Sequence, residues 1–557
     1  MSAVAEATSI HPVQACAADY RSAALLAFAL CGLLTLTSLL VPPSLSHDAG
    51  WGMLEWRTHA TGGPINSIVG PDAADISRDR GRYVTWWSPG QYLTPGIFTL
   101  LGIRLGAALS LTAGVSLLCC LLGWIQVAKH FVLGPRTAAL LVVFIATFRY
   151  STLPFGIYNG GEILLQGLTP WLILAGSFVP AMTALRAAGL ACLAILLAFF
   201  AKLTGVMVAS AALFAGSVEA LVRLRRITAG MIGGAVGAVL AFGALQFAWF
   251  SHGATPASGA GWSIRAGDIL FALGTPWVAG ISWTDMLTSL LFNPRHPILG
   301  GGIENGSLSL ILWLLLPPIA LFLTVIVKGW QQSTHDSNLR RLLMIAACFY
   351  GICALAMAAI FSHGGDVSLE ERHLRAAGML IFVCVVAIAS GLPRRSVSRL
   401  AVGALCCFMS LYGGLAFAYR AWSTKRGEID HYSRTHQPVV DEVAIESLRT
   451  AFAQEGRDAL FVLPSPEVAN AFPPSARILL NHIEFEPEET ISARTYRGKV
   501  RGRLYVIVPT GTAQSAKGTL LLKEFLDYPL DAWETRSFGT STVFVQPGAT
   551  TADGARQ

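Results

Sequence analysis

Charge is what this chain has least of. Only 13% of its 557 residues are Asp, Glu, Lys or Arg, where a soluble domain carries about 25%. With 53% hydrophobic residues and a mean hydropathy of +0.55, this composition excludes an ordinary soluble enzyme and points to a polytopic membrane protein. A metal-type cysteine pattern is missing as well, since no C-x-x-C stands opposite a second pair. Nine of the ten cysteines lie in or beside apolar runs, where an isolated thiol behaves as a small apolar filler. The polar stretch after residue 420 has none, which excludes a disulfide-stapled outer domain. There is no internal repeat and no low-complexity tract beyond a polar tail after Pro547. The net charge of +7 does not signal nucleic acid. Its Lys and Arg sit in short clusters between apolar runs, where membrane topology accounts for them.

What the chain does have is long apolar runs. A bilayer-spanning helix needs about 20 mostly apolar residues. Eleven stretches qualify: 23–42, 105–128, 136–150, 161–179, 185–201, 204–222, 229–250, 307–327, 342–361, 374–392 and 399–419. A short apolar helix at 90–102 precedes the second. The run at 23–41 follows a long polar stretch that includes Glu6 and Asp19, and its length suits a retained span better than a cleaved signal core.

The basic residues set the orientation. With the N-terminus (1–22) in the cytoplasm, Lys129, Arg136, Arg186, "RLRR" (223–226), Lys328, Arg340, Arg341 and "PRRSVSR" (393–399) all fall on the inner side. The large loops 43–104 and 251–306 then lie outside, as does everything after 420. That last region alternates strand-like "DALFVLP" (458–464), "ARILLN" (476–481), "RLYVIVP" (503–509) and "STVFVQ" (541–546) with helical 440–454 and 518–529. The expectation is a small extracytoplasmic α/β domain over 421–547, ending in a polar tail, 548–557.

Ionisable residues crowd the outer edges of the spans. Asp48 stands just past the first span, beside His47 and ahead of Trp51. The segment 51–60 reads as a helix lying in the membrane interface, with Trp51 and Leu54 on its apolar side and Glu55, Arg57 and His59 on its polar side. Glu162 opens the fourth span after "YNGG". Lys202 sits in the tight turn "FFAKLTG", and "GDVSLEERHLR" brings Asp366, Glu370, Glu371, Arg372, His373 and Arg375 to the top of the tenth span. The 251–306 loop adds Arg265, Asp268, Asp285, Arg295, His296 and Glu304. Each alone has a bland reading: a first-turn acid, a dipole-matching Glu, a snorkelling Lys, a solvated loop. Together they fit a lipid-borne phosphate held just above the bilayer. Lys202, Arg372 and His373 would bind the phosphate, and Asp48 would take a proton from an incoming hydroxyl or amine.

With those residues in view, the sequence resembles the GT-C glycosyltransferases, the polyprenyl-phosphate-sugar-dependent superfamily that includes mannosyltransferases and bacterial aminoarabinose transferases. "SHDAGWGMLEWRTHATGGPIN" resembles the start of their first external loop, and "WWSPGQYLTPG" the return from it. "GEILLQGLTPWLIL", "FFAKLTGVMVA" and "ERHLRAAGMLIF" resemble later membrane-edge segments. The resemblance covers roughly 23–420. It implies a sugar moved from a polyprenyl-phosphate carrier to a lipid, glycan or protein acceptor outside a bacterial inner membrane. It further implies Asp48 as catalytic acid or base, Glu162 as a second acid, and Lys202 and Arg372 as phosphate-binding cations. His47, Trp51 and Glu371 are expected near sugar or acceptor. Many members carry a D-D or D-x-D pair in this loop. Here His47 precedes Asp48 and positions 49 and 50 are not acidic, so no divalent metal and no cofactor is expected. Two rival classes are a secondary transporter, which calls for charges near the bilayer midplane, and a non-catalytic assembly or binding protein acting through its C-terminal domain.

Overall fold

The computed structural model describes residues 19–252, 263–291, 308–334, 337–363, 367, 369–425, 440–481 and 487–547. Asp366, Arg295, His296 and Glu304, named above, lie outside these residues.

Among the described residues, nine helices are long and apolar enough to cross a membrane, from Arg21–Leu40 to Val397–Ser423. The expected third span is a broken one: Pro135–Thr147 and Arg149–Phe155 meet at 60° where Phe148 turns extended. The expected tenth is Arg375–Gly391, short but almost wholly buried among its neighbours. All eleven expected positions are therefore apolar helices, and the chain is a multi-pass membrane protein.

The two ends of the bundle differ. At one end, Lys129 lies over the Tyr20 ring, Arg341 faces the Phe131 ring, and Arg341 and Arg223 both bind the buried Glu219 at 2.9 and 2.8 Å. The basic loops thus gather together with the N-terminal end of the first span. At the other end sit the long first loop and the C-terminal domain.

That domain is a five-stranded sheet, in the order Arg477–Leu480, Leu460–Leu463, Leu504–Pro509, Ser541–Gln546, Glu534–Phe538. The first three strands are parallel and the last two antiparallel to their neighbours. The interior strand "LFVL" is buried on both faces, as a covered parallel strand requires. Four of the five strands are the expected ones. The fifth, "ETRSF", is an exposed edge strand with no apolar alternation to betray it.

The first loop holds two features that the sequence reading did not anticipate. Residues Ser67–Asp72 and Asp75–Tyr83 form a β-hairpin. Its tip enters the C-terminal domain, where Ile76 is fully buried against Leu460 and Val462, and Arg477 donates to the Ile76 carbonyl at 2.7 Å. The helix before it, His47–Ala60, is not an interfacial helix with a solvated polar face. The C-terminal domain covers the side that carries Trp51, Leu54 and Arg57. Glu55 has no solvent exposure, and Arg57 donates to the carbonyls of Ala469, Phe472 and Pro473, capping the short helix Pro466–Ala469. Burial pushes the Glu55 carboxyl well above its usual range.

Candidate functional site

Four span ends meet at one place. Ser44–Leu45 pairs in parallel with Ile157–Tyr158, and Ser46 donates to the Tyr158 carbonyl at 2.9 Å. This bridge ties the exit of the first span to the "YNGGE" loop. Ser46 then caps the next helix by accepting from the Ala49 amide, which places Asp48 in its first turn, where the helix dipole favours a carboxylate.

Glycines bring the second pair of elements together. A Cβ on Gly161 would collide with the Ala201 carbonyl and press on Lys202, so only glycine lets the helix carrying Glu162 start against this turn. Gly160, at φ +73°, makes the bend before it. Gly161→Val is therefore expected to wedge Glu162 and Lys202 apart. A lowered thermal midpoint in detergent checks this, while a wild-type midpoint contradicts the close-approach argument.

The outcome is an ion cluster. Lys202 Nζ donates to Glu162 Oε1 at 2.6 Å. Arg372 Nη1 lies 2.9 Å from Asp48 Oδ2 and 3.3 Å from Glu162 Oε1, and Arg372 Nε lies 2.5 Å from Glu370 Oε2. The cluster is graded in depth. The Glu162 side chain is 9% exposed, Lys202 17%, Arg372 24% and Asp48 37%. Asp48 and Glu370, the latter 46% exposed, thus face outward, and Glu162 lies beneath.

Burial dominates the surroundings of the two cations, with opposite net results. Burial pushes the Lys202 ammonium below its ordinary value, with Arg372 adding to the effect and Glu162 opposing it. For Arg372, burial is outweighed by Glu162, Glu370 and Asp48, which hold the guanidinium charged. His373 lies beside them, and neither ring nitrogen has a hydrogen-bond partner among the described residues. Burial first, then the charges of Lys202 and Arg372, push its imidazole well below its usual value. A neutral ring with an unspent N–H is a hydrogen-bond donor available to an anion.

Of the expected site residues, Asp48, Glu162, Lys202, Arg372 and His373 come together. Glu371 does not join them. It leaves the turn Glu371–His373 on the other side, fully buried, and accepts from the Thr284 and Asp285 amides at 2.8 and 3.3 Å. Burial, reinforced by Asp285, pushes its carboxyl well above its usual range. Glu371 anchors the turn that carries Arg372. Arg375 strengthens that anchor through Asp285 at 2.8 Å.

His47 and Trp51 point toward the C-terminal domain. His47 Nδ1 lies 3.2 Å from Glu467 Oε1, and Trp51 Nε1 donates to His47 Nε2 at 3.2 Å. Glu467, which the sequence reading did not single out, is nearly fully buried and comes from the helix that Arg57 caps. Burial alone would lower His47, but the bond and charge of Glu467, with Asp48, raise it. Burial alone would raise Glu467, but His47 holds it down. Protonating His47 gives up the Trp51 bond and gains a full charge against the carboxylate, and the charge-assisted contact is the stronger.

These directions predict a pH dependence. A raised His contributes stability below its unfolded value and loses it as pH rises through the folded one. A depressed Glu contributes above its unfolded value and loses it as pH falls. The domain contact is therefore strongest in mildly acid solution and weakens as pH climbs past neutrality. Glu467→Gln is expected to flatten that slope in thermal-unfolding scans across this range, and an unchanged slope contradicts the pairing.

Among the described residues, no group of three or more His, Cys, Asp and Glu is arranged to hold a metal ion. The carboxylates Asp48, Glu162 and Glu370 converge on a guanidinium instead. No protein-family model matches the chain, and no curated protein matches it in sequence. Solved structures do. ArnT from Cupriavidus metallidurans, solved bound to undecaprenyl phosphate, is similar over 94% of this chain and 97% of its own, with a TM-score of 0.51 at 11% identity. The mycobacterial arabinofuranosyltransferase AftD aligns over 96% of this chain and 40% of that longer one, with a TM-score of 0.49 at 13% identity. With its bundle of apolar helices, its long first loop and its C-terminal sheet domain, the chain has the fold of the GT-C glycosyltransferases.

Proposed function

We propose that this protein is a membrane glycosyltransferase that moves a sugar from a polyprenyl-phosphate carrier to an acceptor on the outer face of a bacterial inner membrane. One observation carries the reading: Glu162, Lys202 and Arg372, at the ends of three apolar helices, meet Asp48 in the helix that follows the first span, though all four are distant in sequence. A transporter calls for charge at mid-bilayer, whereas this cluster is at an edge. The ligand of the similar ArnT structure, undecaprenyl phosphate, is a phosphate on a long isoprenoid. A site at the membrane edge suits such a molecule, with its chain among the helices and its headgroup at the cluster.

In this mechanism Lys202 and Arg372 hold the carrier phosphate, and His373 donates a further hydrogen bond. A phosphate oxygen at Arg372 Nη1 competes with Asp48 for the same N–H, so donor binding frees the carboxylate. Asp48 then takes the acceptor's hydroxyl proton as the oxygen attacks the anomeric carbon. The bond from that carbon to the phosphate oxygen breaks. The polyprenyl phosphate leaves with the electron pair, its charge held by the two cations. A single displacement inverts the anomeric centre. The N-terminus is then cytoplasmic, and the C-terminal domain faces the periplasm or exterior.

The test is direct. The protein in bilayers is offered labelled polyprenyl-phosphate pentoses and hexoses with a membrane extract as acceptor source. Label should move to acceptor and free polyprenyl phosphate should appear. Failure to bind polyprenyl phosphate, in a sample that still unfolds cooperatively, rejects the reading.

A further inference from the structure

A cavity of about 760 Å³ lies between the β-hairpin, the helix His47–Ala60 and the edge of the C-terminal sheet. Its walls are aromatic and cationic. Trp51, Tyr83, Trp86 and Trp87 line it, and Trp86 is 41% exposed. Five arginines and two acids also face it. Three of the arginines are already engaged: Arg57 with backbone carbonyls, and Arg477 and Arg457 with Asp79 at 2.7 and 3.4 Å. Arg80 and Arg82 are not. Both are exposed on the hairpin, and no carboxylate among the described residues lies within ion-pair distance of either. The cavity therefore carries unspent positive charge beside flat ring faces.

One wall, at Trp51, lies about one helical turn from Asp48. Trp51 lines the cavity and donates to His47, and His47 is the chain neighbour of Asp48 in the same helical turn. The cavity and the carboxylate assigned as base thus share the helix His47–Ala60.

We infer that this cavity is the acceptor site and that the acceptor is an anionic saccharide. Sugar rings present C–H faces that stack on Trp86, Trp87 and Tyr83. Carboxylate or phosphate groups on the saccharide pair with the guanidinium forks of Arg80 and Arg82. A few placed charges in an aromatic-lined recess are what fixes a ligand's orientation. The inference rests on the glycosyltransferase reading for the word acceptor, while the binding of an anionic saccharide stands without it.

The experiment uses the full chain in phosphatidylcholine nanodiscs. Affinities are measured for tetragalacturonate, for maltotetraose phosphate, for neutral maltotetraose and for tripolyphosphate. At least one charged saccharide should bind more tightly than the neutral sugar and than tripolyphosphate. The double variant Arg80→Ala/Arg82→Ala should weaken it by about tenfold or more, and Trp86→Ala should weaken both charged and neutral saccharides. These are surface side chains whose removal leaves the core intact. The two charged arms separate a carboxylate-bearing acceptor from a phosphate-bearing one. Equal affinity for neutral and charged sugars, tripolyphosphate binding as well as the saccharides, or undiminished binding by the double variant overturns the inference. Binding of polyprenyl phosphate is recorded on the same samples. Loss there with saccharide binding retained sinks the transferase reading alone, and the converse sinks only the acceptor site.

Discussion

Asp48→Asn is expected to abolish sugar transfer while leaving the protein folded and still able to bind polyprenyl phosphate. The substitution keeps the size and polarity of the side chain and removes only its capacity to take a proton. A positioned general base contributes about 10²–10⁴-fold in rate, so the loss should be of that order. Arg372 gives up one ion pair in the variant but keeps Glu162 at 3.3 Å and Glu370 at 2.5 Å, so its guanidinium remains compensated and in place. Asp48 is also far more exposed than Glu162, and removing a 37% exposed charge costs little stability. The measurement is turnover of labelled lipid-linked sugar by purified wild type and variant at matched donor occupancy. Transfer at the wild-type rate by the variant would remove Asp48 from the base role and leave it an ion-pair partner.

Why were these residues legible in the sequence? An ionisable group at the end of an apolar run is costly unless it is used or paired, and that cost makes Asp48, Glu162, Lys202 and Arg372 stand out against their surroundings. The helices themselves are equally visible, since a bilayer demands long apolar runs. What stayed hidden obeys no such local rule. Glu467 meets His47 across 420 positions, and nothing near either residue announces the pairing. The strand "DISRDRGRY" buries only Ile76, so it lacks the alternation that marks a strand with one covered face. Arg57 of the 47–60 helix reads as solvated because the carbonyls that bind it lie four hundred residues away. Glu371 and Arg372 are adjacent, yet a tight turn sends one into the protein and the other into the cluster, a difference that spacing alone does not encode.

Lys202→Met gives the second large effect, and its combination with Glu162→Gln separates architecture from chemistry. Lys202 and Glu162 are 17% and 9% exposed and 2.6 Å apart, so the pair is largely withdrawn from water. Breaking such a pair from one side costs about 3–5 kcal/mol because a buried charge is left behind. Arg372, also beside Glu162, should hold the cost toward the lower end. Lys202→Met is thus expected to lower the unfolding midpoint clearly and to abolish donor binding. In the double variant Glu162→Gln/Lys202→Met no charge is left uncompensated by the change, and a neutral pair of similar volume fills the space, so much of the stability should return. Donor binding and transfer should not return, because one of the two cations that hold the carrier phosphate is gone. Thermal unfolding and polyprenyl-phosphate titration on wild type, Lys202→Met and the double variant read the two quantities independently. Recovery of both in the double variant would make the cluster a structural clasp between span ends and leave Arg372 and His373 alone as candidates for the phosphate.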